Sequence, residues 1–133
     1  MSKRYRVLVV EDEANWRENI FRETLEDQGY QVVTSSSCAE AIAALDQNGF
    51  DMIIVDVNLT GVPGNKDGVR VLERMAALGR PPFCIVVSGS PNRAKHEESV
   101  KQFQPVAFVD KTKFDVTDFI SQVADAFAGR GNA

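Results

Sequence analysis

The sequence predicts an α/β protein built on a doubly wound, five-stranded parallel sheet. Five short apolar runs recur along the chain, at residues 5–10, 31–34, 52–55, 83–87 and 106–109. These runs are almost continuously hydrophobic and rich in Val and Ile, which is typical of parallel strands covered on both faces. Segments with helical spacing separate them, and strict alternation of strand and helix favours right-handed crossovers and an open sheet.

The first two helices have recognisable ends. The first is predicted over about residues 14–28, where Gly29 supplies a stop and the apolar face would consist of Trp16, Ile20, Thr24 and Leu25. The second is predicted to begin at Ser37, because Ser37 and Glu40 match the S-x-x-E capping box ahead of an apolar stretch.

Three further helices complete the pattern. One is predicted over 67–78, with Gly79 after it, and one over 114–127 with a clear apolar face. The helix between them, at about 91–103, has few apolar residues and is the weakest of the five. We expect one domain at residues 1–128 and a flexible tail at 129–133.

Composition and charge exclude several classes of function. The 15 basic and 19 acidic residues give a net charge of −4, and no basic run provides a surface for a nucleic-acid backbone. The N-terminal apolar run is too short for a signal peptide or a membrane span, so we predict a cytoplasmic protein that binds neither nucleic acid nor membrane. Cys38 and Cys84 lack metal-ligand spacing and are predicted to be buried thiols.

Polar residues follow four of the five predicted strands, at their carboxyl ends. They are Glu11 and Asp12, then Asp56, Ser88 and Lys111. In an open parallel sheet these ends border the crevice in which ligands bind. If the first and third strands are neighbours, Asp12 and Asp56 face each other there.

This set of residues has the chemistry of a magnesium and phosphoryl site. Clustered carboxylates repel one another and usually shift their pKa values or take up a cation. Mg²⁺ accepts carboxylate, carbonyl and phosphate oxygens, whereas zinc would need His or Cys ligands that are missing from this pattern. Lys111 and Ser88 add the positive charge and the hydroxyl donor that a phosphoryl group needs.

Four motifs also carry a family resemblance. The runs VLVVEDE at 7–13, IIVDVNL at 53–59, VVSG at 86–89 and FVDK at 108–111 occur in the order and at about the intervals of response-regulator receiver domains. Together they are quite specific, and the chain resembles a receiver of the two-component type, single-domain or excised, over nearly its whole length. The resemblance implies a flavodoxin-like (βα)5 fold with strand order 2-1-3-4-5.

The resemblance also implies roles for individual residues. Asp56 would be the phospho-acceptor, and Mg²⁺ would be bound by Glu11, Asp12, Asp56 and the backbone carbonyl of Asn58. Lys111 would contact the phosphoryl group.

Signalling roles follow in the same way. Ser88 and Phe108 would be the switch hydroxyl and the switch aromatic. A sensor histidine kinase or phosphotransfer protein would supply the phosphoryl group, and a downstream protein would bind the face formed by the fourth helix, fifth strand and fifth helix. The chain would catalyse only its own phosphorylation and dephosphorylation; homodimer formation stays open.

The sequence departs from the family at two places. The family usually has Pro after the lysine, with a cis bond before it, whereas this chain has Thr112, for which a cis bond would cost roughly 3 kcal/mol. The segment 60–67 (TGVPGNKD) is longer than the usual loop after the acceptor strand.

Other interpretations remain open on sequence alone. Glu11 and Asp12 could simply cap a helix, and Phe108 could be a core residue. A pseudo-receiver that binds protein without phosphorylation is the main alternative function. An aspartyl phosphatase would need Asp rather than Asn at position 58, and a flavin carrier would need a Ser/Thr-rich loop after the first strand.

Overall fold

The sheet has the predicted topology. The computed structural model describes residues 4–47, 49–57, 67–89 and 93–131, without the side chains of 93–96 and 130–131. Its parallel strands run in the order β2-β1-β3-β4-β5. Their bounds are β1 (Arg6–Val10), β2 (Gln31–Ser35), β3 (Met52–Asp56), β4 (Phe83–Ser88) and β5 (Ala107–Asp110). The doubly wound α/β fold is therefore confirmed.

Five helices cover the two faces of the sheet. They are α1, with a π-helical part (Asn15–Arg22) and an α-helical part (Glu23–Asp27), α2 (Cys38–Gln47), α3 (Asp67–Ala76), α4 (Arg93–Val100) and α5 (Val116–Gly131). Two 3₁₀ turns, Lys101–Phe103 and Lys111–Lys113, flank β5. Helix α5 continues into the segment expected as a tail. Within the described residues, no helix combines the length and apolarity needed to cross a membrane.

The start of α2 uses most of the predicted capping box. Ser37 Oγ accepts a hydrogen bond from the Glu40 N–H at 3.2 Å, as expected. The Glu40 carboxylate reaches back to the N–H of Ser36, also at 3.2 Å, rather than to that of Ser37. The reciprocal bond is therefore displaced by one residue, but an otherwise unpaired amide is still satisfied.

Helix α1 differs from the ordinary helix that was predicted. Its first part is π-helical, so residues five apart come to lie on one face. Phe21 and Leu25 are each 1% exposed, whereas Ile20 and Thr24 are only half-buried. The predicted apolar face left out Phe21, which lies five residues after Trp16. A 3.6-residue period places Ile20 below Trp16, whereas the wider π-helical turn brings Phe21 there.

Alternate residues of the central strands point into two apolar clusters. One cluster packs Leu8, Ile53 and Val86 against α2 and α3, and the other packs Val9 and Ile54 against α1 and α5. Cys84 is buried in the first cluster, but Cys38 is only half-buried, so the prediction of two buried thiols holds for Cys84 alone.

Candidate functional site

Three carboxylates converge at the carboxyl ends of β1 and β3. Val10 pairs with Val55 in the sheet, so the residues that follow β1 lie beside the end of β3. Glu11 is fully buried and Asp56 is 4% exposed, while Asp12 is more accessible. One oxygen from each carboxylate lies within 4.8 Å of the others. The sequence prediction that these residues meet is correct.

Lys111 joins two of these carboxylates. Its Nζ donates a hydrogen bond to Asp56 Oδ2 at 2.8 Å and lies 2.5 Å from Glu11 Oε1, and its side chain is only 8% exposed. The contact with Glu11 is an ion pair by distance. Lys111 therefore bridges the two buried carboxylates.

The donor set fits a hard divalent cation such as Mg²⁺. Glu11 and Asp56 are both buried, and carboxylates brought this close together commonly take up a cation that relieves their repulsion. Three carboxylate oxygens within 4.8 Å of one another are ligands of the type that Mg²⁺ prefers. Glu11, Asp12 and Asp56 could therefore hold a metal ion.

The electrostatics of the site are strongly coupled. Burial, together with the charge of Asp56, raises the pKa of Glu11 to about 8, although Lys111 and the Glu13 amide act in the opposite direction. Burial also lowers the pKa of Lys111, but the Asp56 and Glu11 carboxylates outweigh that effect and the net shift is upward. The ammonium therefore stays charged, while Glu11 can carry a proton near neutral pH.

The start of α1 supports the acidic loop through its backbone. Arg17 Nη1 donates to the carbonyl oxygens of Glu11 at 3.0 Å and Asp12 at 3.3 Å. Arg17 Nε in turn donates to Glu18 at 2.9 Å, and the Arg17 side chain is 18% exposed. Arginine suits this arrangement because the N–H donors of its guanidinium group are fixed in one plane. Sequence reasoning missed this residue.

Lys111 reaches Asp56 without a proline after it. The described residues contain no cis peptide bond, so the bond before Thr112 is trans. Asp110 caps the 3₁₀ turn, because its Oδ1 accepts from the Thr112 N–H at 2.9 Å and from Thr112 Oγ1 at 2.6 Å. An Asx-type turn thus fixes the backbone at Lys111, and the spacing Asp-x-Thr is a sequence signal that could have revealed it.

The two predicted switch residues lie on neighbouring strands beside the cluster. Ser88 is 1% exposed at the end of β4, where it pairs with Asp110 of β5. Phe108 is half-buried on β5, packs against the α2–α3 core and borders an open groove that is also lined by Glu97 and Val100 of α4. Asn58 and residues 60–66 lie outside the described residues.

Comparison with known proteins shows the family. The response regulator receiver domain model matches residues 7–124. AlgB, an alginate biosynthesis transcriptional regulatory protein of Pseudomonas aeruginosa, is 40% identical over 85 residues, which cover 64% of this chain and 17% of AlgB. The two-component response regulator PprB of the same species is 30% identical over 104 residues, or 75% of this chain and 36% of PprB. The matched segments are well under half the length of either relative.

Solved structures agree on the fold. A CheY-like receiver domain from Methanospirillum hungatei superposes with a TM-score of 0.81 over 98% of both chains, at 17% identity. A response regulator receiver protein from Burkholderia phymatum gives a TM-score of 0.75 at 26% identity, covering 92% of this chain and 94% of that one. The chain therefore belongs to the response regulator receiver domain family.

Proposed function

We propose that Asp56 accepts a phosphoryl group from a sensor histidine kinase or a phosphotransfer protein, in a reaction that needs Mg²⁺. One observation carries this proposal. The buried Asp56 carboxylate accepts a hydrogen bond from the Lys111 ammonium at 2.8 Å and lies beside two further carboxylates that could share a metal ion with it. Negative charge on an incoming phosphoryl group would therefore be close to a fixed cation and to a potential metal site.

The reaction is an in-line displacement. A carboxylate oxygen of Asp56 forms the new bond to phosphorus while the bond from phosphorus to the donor imidazole nitrogen breaks. The imidazole leaves with that electron pair and takes up a proton. Lys111 balances charge on the transferred oxygens. Glu11, Asp12, Asp56 and the Asn58 carbonyl would hold Mg²⁺, which when bound supplies further neutralisation of those oxygens.

Intact-mass spectrometry tests this assignment. Incubation with acetyl phosphate and Mg²⁺ should add one phosphoryl group, and omission of Mg²⁺ should prevent the addition. Asp56→Asn should abolish labelling. Asp51→Asn is a matched control, because Asp51 is also a buried carboxylate, 7% exposed, just before the opposite end of β3. Labelling of Asp56→Asn at the parent rate would refute the proposal, and a parent protein that is never labelled would favour the phosphorylation-independent binding module.

We further propose that phosphorylation alters partner binding through the surface of α4, β5 and α5, within a receiver unit at residues 1–128. Two features support this mechanism. The buried Ser88 hydroxyl lies at the end of β4, next to the strand of Asp56, and Phe108 lies on the neighbouring strand β5 beside an open groove that residues of α4 also line. A phosphoryl group would draw the hydroxyl inward by a charge-assisted hydrogen bond.

Amide NMR with a beryllofluoride mimic of the phosphoryl group tests the switch. Residues 91–109 should shift together with the loops around Asp56, and Ser88→Ala should reduce the shifts at β5 and α4. If the shifts stay confined to the loops, the coupling between Ser88 and Phe108 does not operate.

A further inference from the structure

Trp16 lies over the Lys111 ammonium. The Nζ atom is 5.0 Å from the centroid of the indole ring, a distance at which a cation is attracted to the face of an aromatic ring. The sequence predicted Trp16 on the apolar face of the first helix. The ring does pack against the core, but it also contacts the lysine of the candidate site.

The indole is held in place by other aromatic rings. Phe114, which follows the Lys111–Lys113 turn, packs edge-on against Trp16 with centroids 5.3 Å apart, and Phe21 lies at 5.6 Å. Trp16 and Phe21 are five residues apart and share a face because this part of α1 is π-helical. The ring is therefore fixed by α1 from one side and by the turn that carries Lys111 from the other.

The stem of Lys111 is confined as well. A Cβ atom added to Gly89 would lie 3.3 Å from Lys111 Cδ, so the aliphatic chain passes close over the Gly89 backbone. The lysine thus runs between Gly89 and the aromatic cluster, and its ammonium meets Trp16 on one side and the carboxylates of Glu11 and Asp56 on the other.

We propose that Trp16 is a positioning residue that holds the Lys111 ammonium at Asp56 for phosphoryl transfer. The inference rests on the proposed function. Glu11 now binds the ammonium but also belongs to the set of carboxylates that could hold a metal ion. A metal ion on Glu11 would remove that partner from Lys111. An aromatic face is no ligand for a hard cation, so Trp16 retains the ammonium when the carboxylates are engaged.

The contact itself is tested by NMR of the metal-free protein with ¹³C-labelled lysine. A methylene group beside the face of an indole experiences a ring-current shift to higher field. The Lys111 Cε protons should show this shift in the parent, partly retain it in Trp16→Phe and lose it in Trp16→Leu. A Lys111 signal that is unchanged by Trp16→Leu would overturn the proposal.

The functional consequence is tested by a double-mutant cycle of phosphorylation rates with acetyl phosphate and Mg²⁺. From the usual strength of a cation–π contact, Trp16→Leu should slow the reaction by about 2- to 30-fold, and Trp16→Phe should recover most of that loss. In a Lys111→Met background, Trp16→Leu should cause no further decrease, because the lysine through which it acts is gone.

A matched control separates positioning from folding. Tyr30 is another half-buried aromatic residue, but it packs on Phe127 at the opposite end of the sheet. Tyr30→Leu should leave the rate unchanged. The proposal would be overturned if Tyr30→Leu slowed phosphorylation as much as Trp16→Leu does. It would also be overturned if Trp16→Leu slowed phosphorylation equally with and without Lys111, because the indole would then act by stabilising the fold. If even the parent takes up no phosphoryl group, the proposed function fails, while the Lys111 shift still decides whether Trp16 positions the lysine.

Discussion

Gly68 is expected to be essential for the position of Asp56. It is the second residue of α3, and its Cα faces the backbone at the end of β3. A Cβ atom there would lie 2.5 Å from the carbonyl oxygen of Asp56 and 2.6 Å from the Cα of Val57. Ordinary non-bonded contacts of carbon are about 3.5–4.0 Å, so Gly68→Ala must move either the helix or the strand by roughly 1 Å.

Two opposing effects determine the size of the change. Alanine favours a helix over glycine by about 1 kcal/mol. Overpacking a close contact typically costs about 1–3 kcal/mol, and here the colliding atoms are backbone atoms that no side-chain rotation can remove. We therefore expect Gly68→Ala to lower the free energy of unfolding by a net amount of up to about 2 kcal/mol, and to weaken Mg²⁺ binding by displacing Asp56.

Urea unfolding and calorimetric Mg²⁺ titration measure both effects. Gly129→Ala is the matched control, because Gly129 lies in α5 with no neighbouring heavy atom within 4 Å of an added Cβ. That variant should be as stable as the parent or slightly more stable, with unchanged Mg²⁺ affinity. If Gly68→Ala stabilises the protein as Gly129→Ala does, the close approach of α3 to β3 does not constrain the site.

Two further predictions concern the charged residues. The pKa of Glu11, raised from 4.5 to about 8, makes Mg²⁺ binding proton-linked, so affinity should increase with pH towards about 8 and calorimetry at pH 7 should detect proton release. Between pH 4.5 and about 8 the folded, metal-free domain keeps a proton on Glu11 that the unfolded chain has released, so the free energy of unfolding should fall as the pH rises through this range. Glu11→Gln should flatten this dependence. An affinity for Mg²⁺ that does not change with pH would contradict the raised pKa of Glu11 on which both expectations depend. Asp110→Ala removes the acceptor for the Thr112 amide and should cost about 1 kcal/mol in urea unfolding and slow phosphorylation, whereas Asp110→Asn keeps an acceptor and should lose little. Equal losses in the two Asp110 variants would show that the turn does not depend on this hydrogen bond.

The convergence of the site could be predicted because it depends on topology. Parallel strands have their carboxyl ends at one edge, so the polar residues after successive strands had to meet there once the order of the strands was known. Glu11, Asp56 and Lys111 do meet, although Pro is replaced by Thr112. Their exact contacts depended on the Asp110 turn, whose sequence signal is short and easily overlooked.

Other features depended on tertiary packing and had no local signal. In the π-helical part of α1, Trp16 and Phe21 both pack on aromatic residues at or near the start of α5, an arrangement that hydrophobic periodicity cannot show. The same holds for Arg17, whose acceptors are backbone carbonyls, and for Gly68, whose importance lies in the space that its missing side chain leaves for β3.

The most direct test of the central proposal is chemical mapping of the phosphorylated residue. After incubation with acetyl phosphate and Mg²⁺, borohydride reduces an aspartyl phosphate to homoserine, which tandem mass spectrometry locates in a peptide digest. We predict homoserine at position 56 in the parent protein, and none when Mg²⁺ is left out. Conversion of a different residue, or none at position 56 with Mg²⁺ present, would contradict the assignment of Asp56 as the phospho-acceptor.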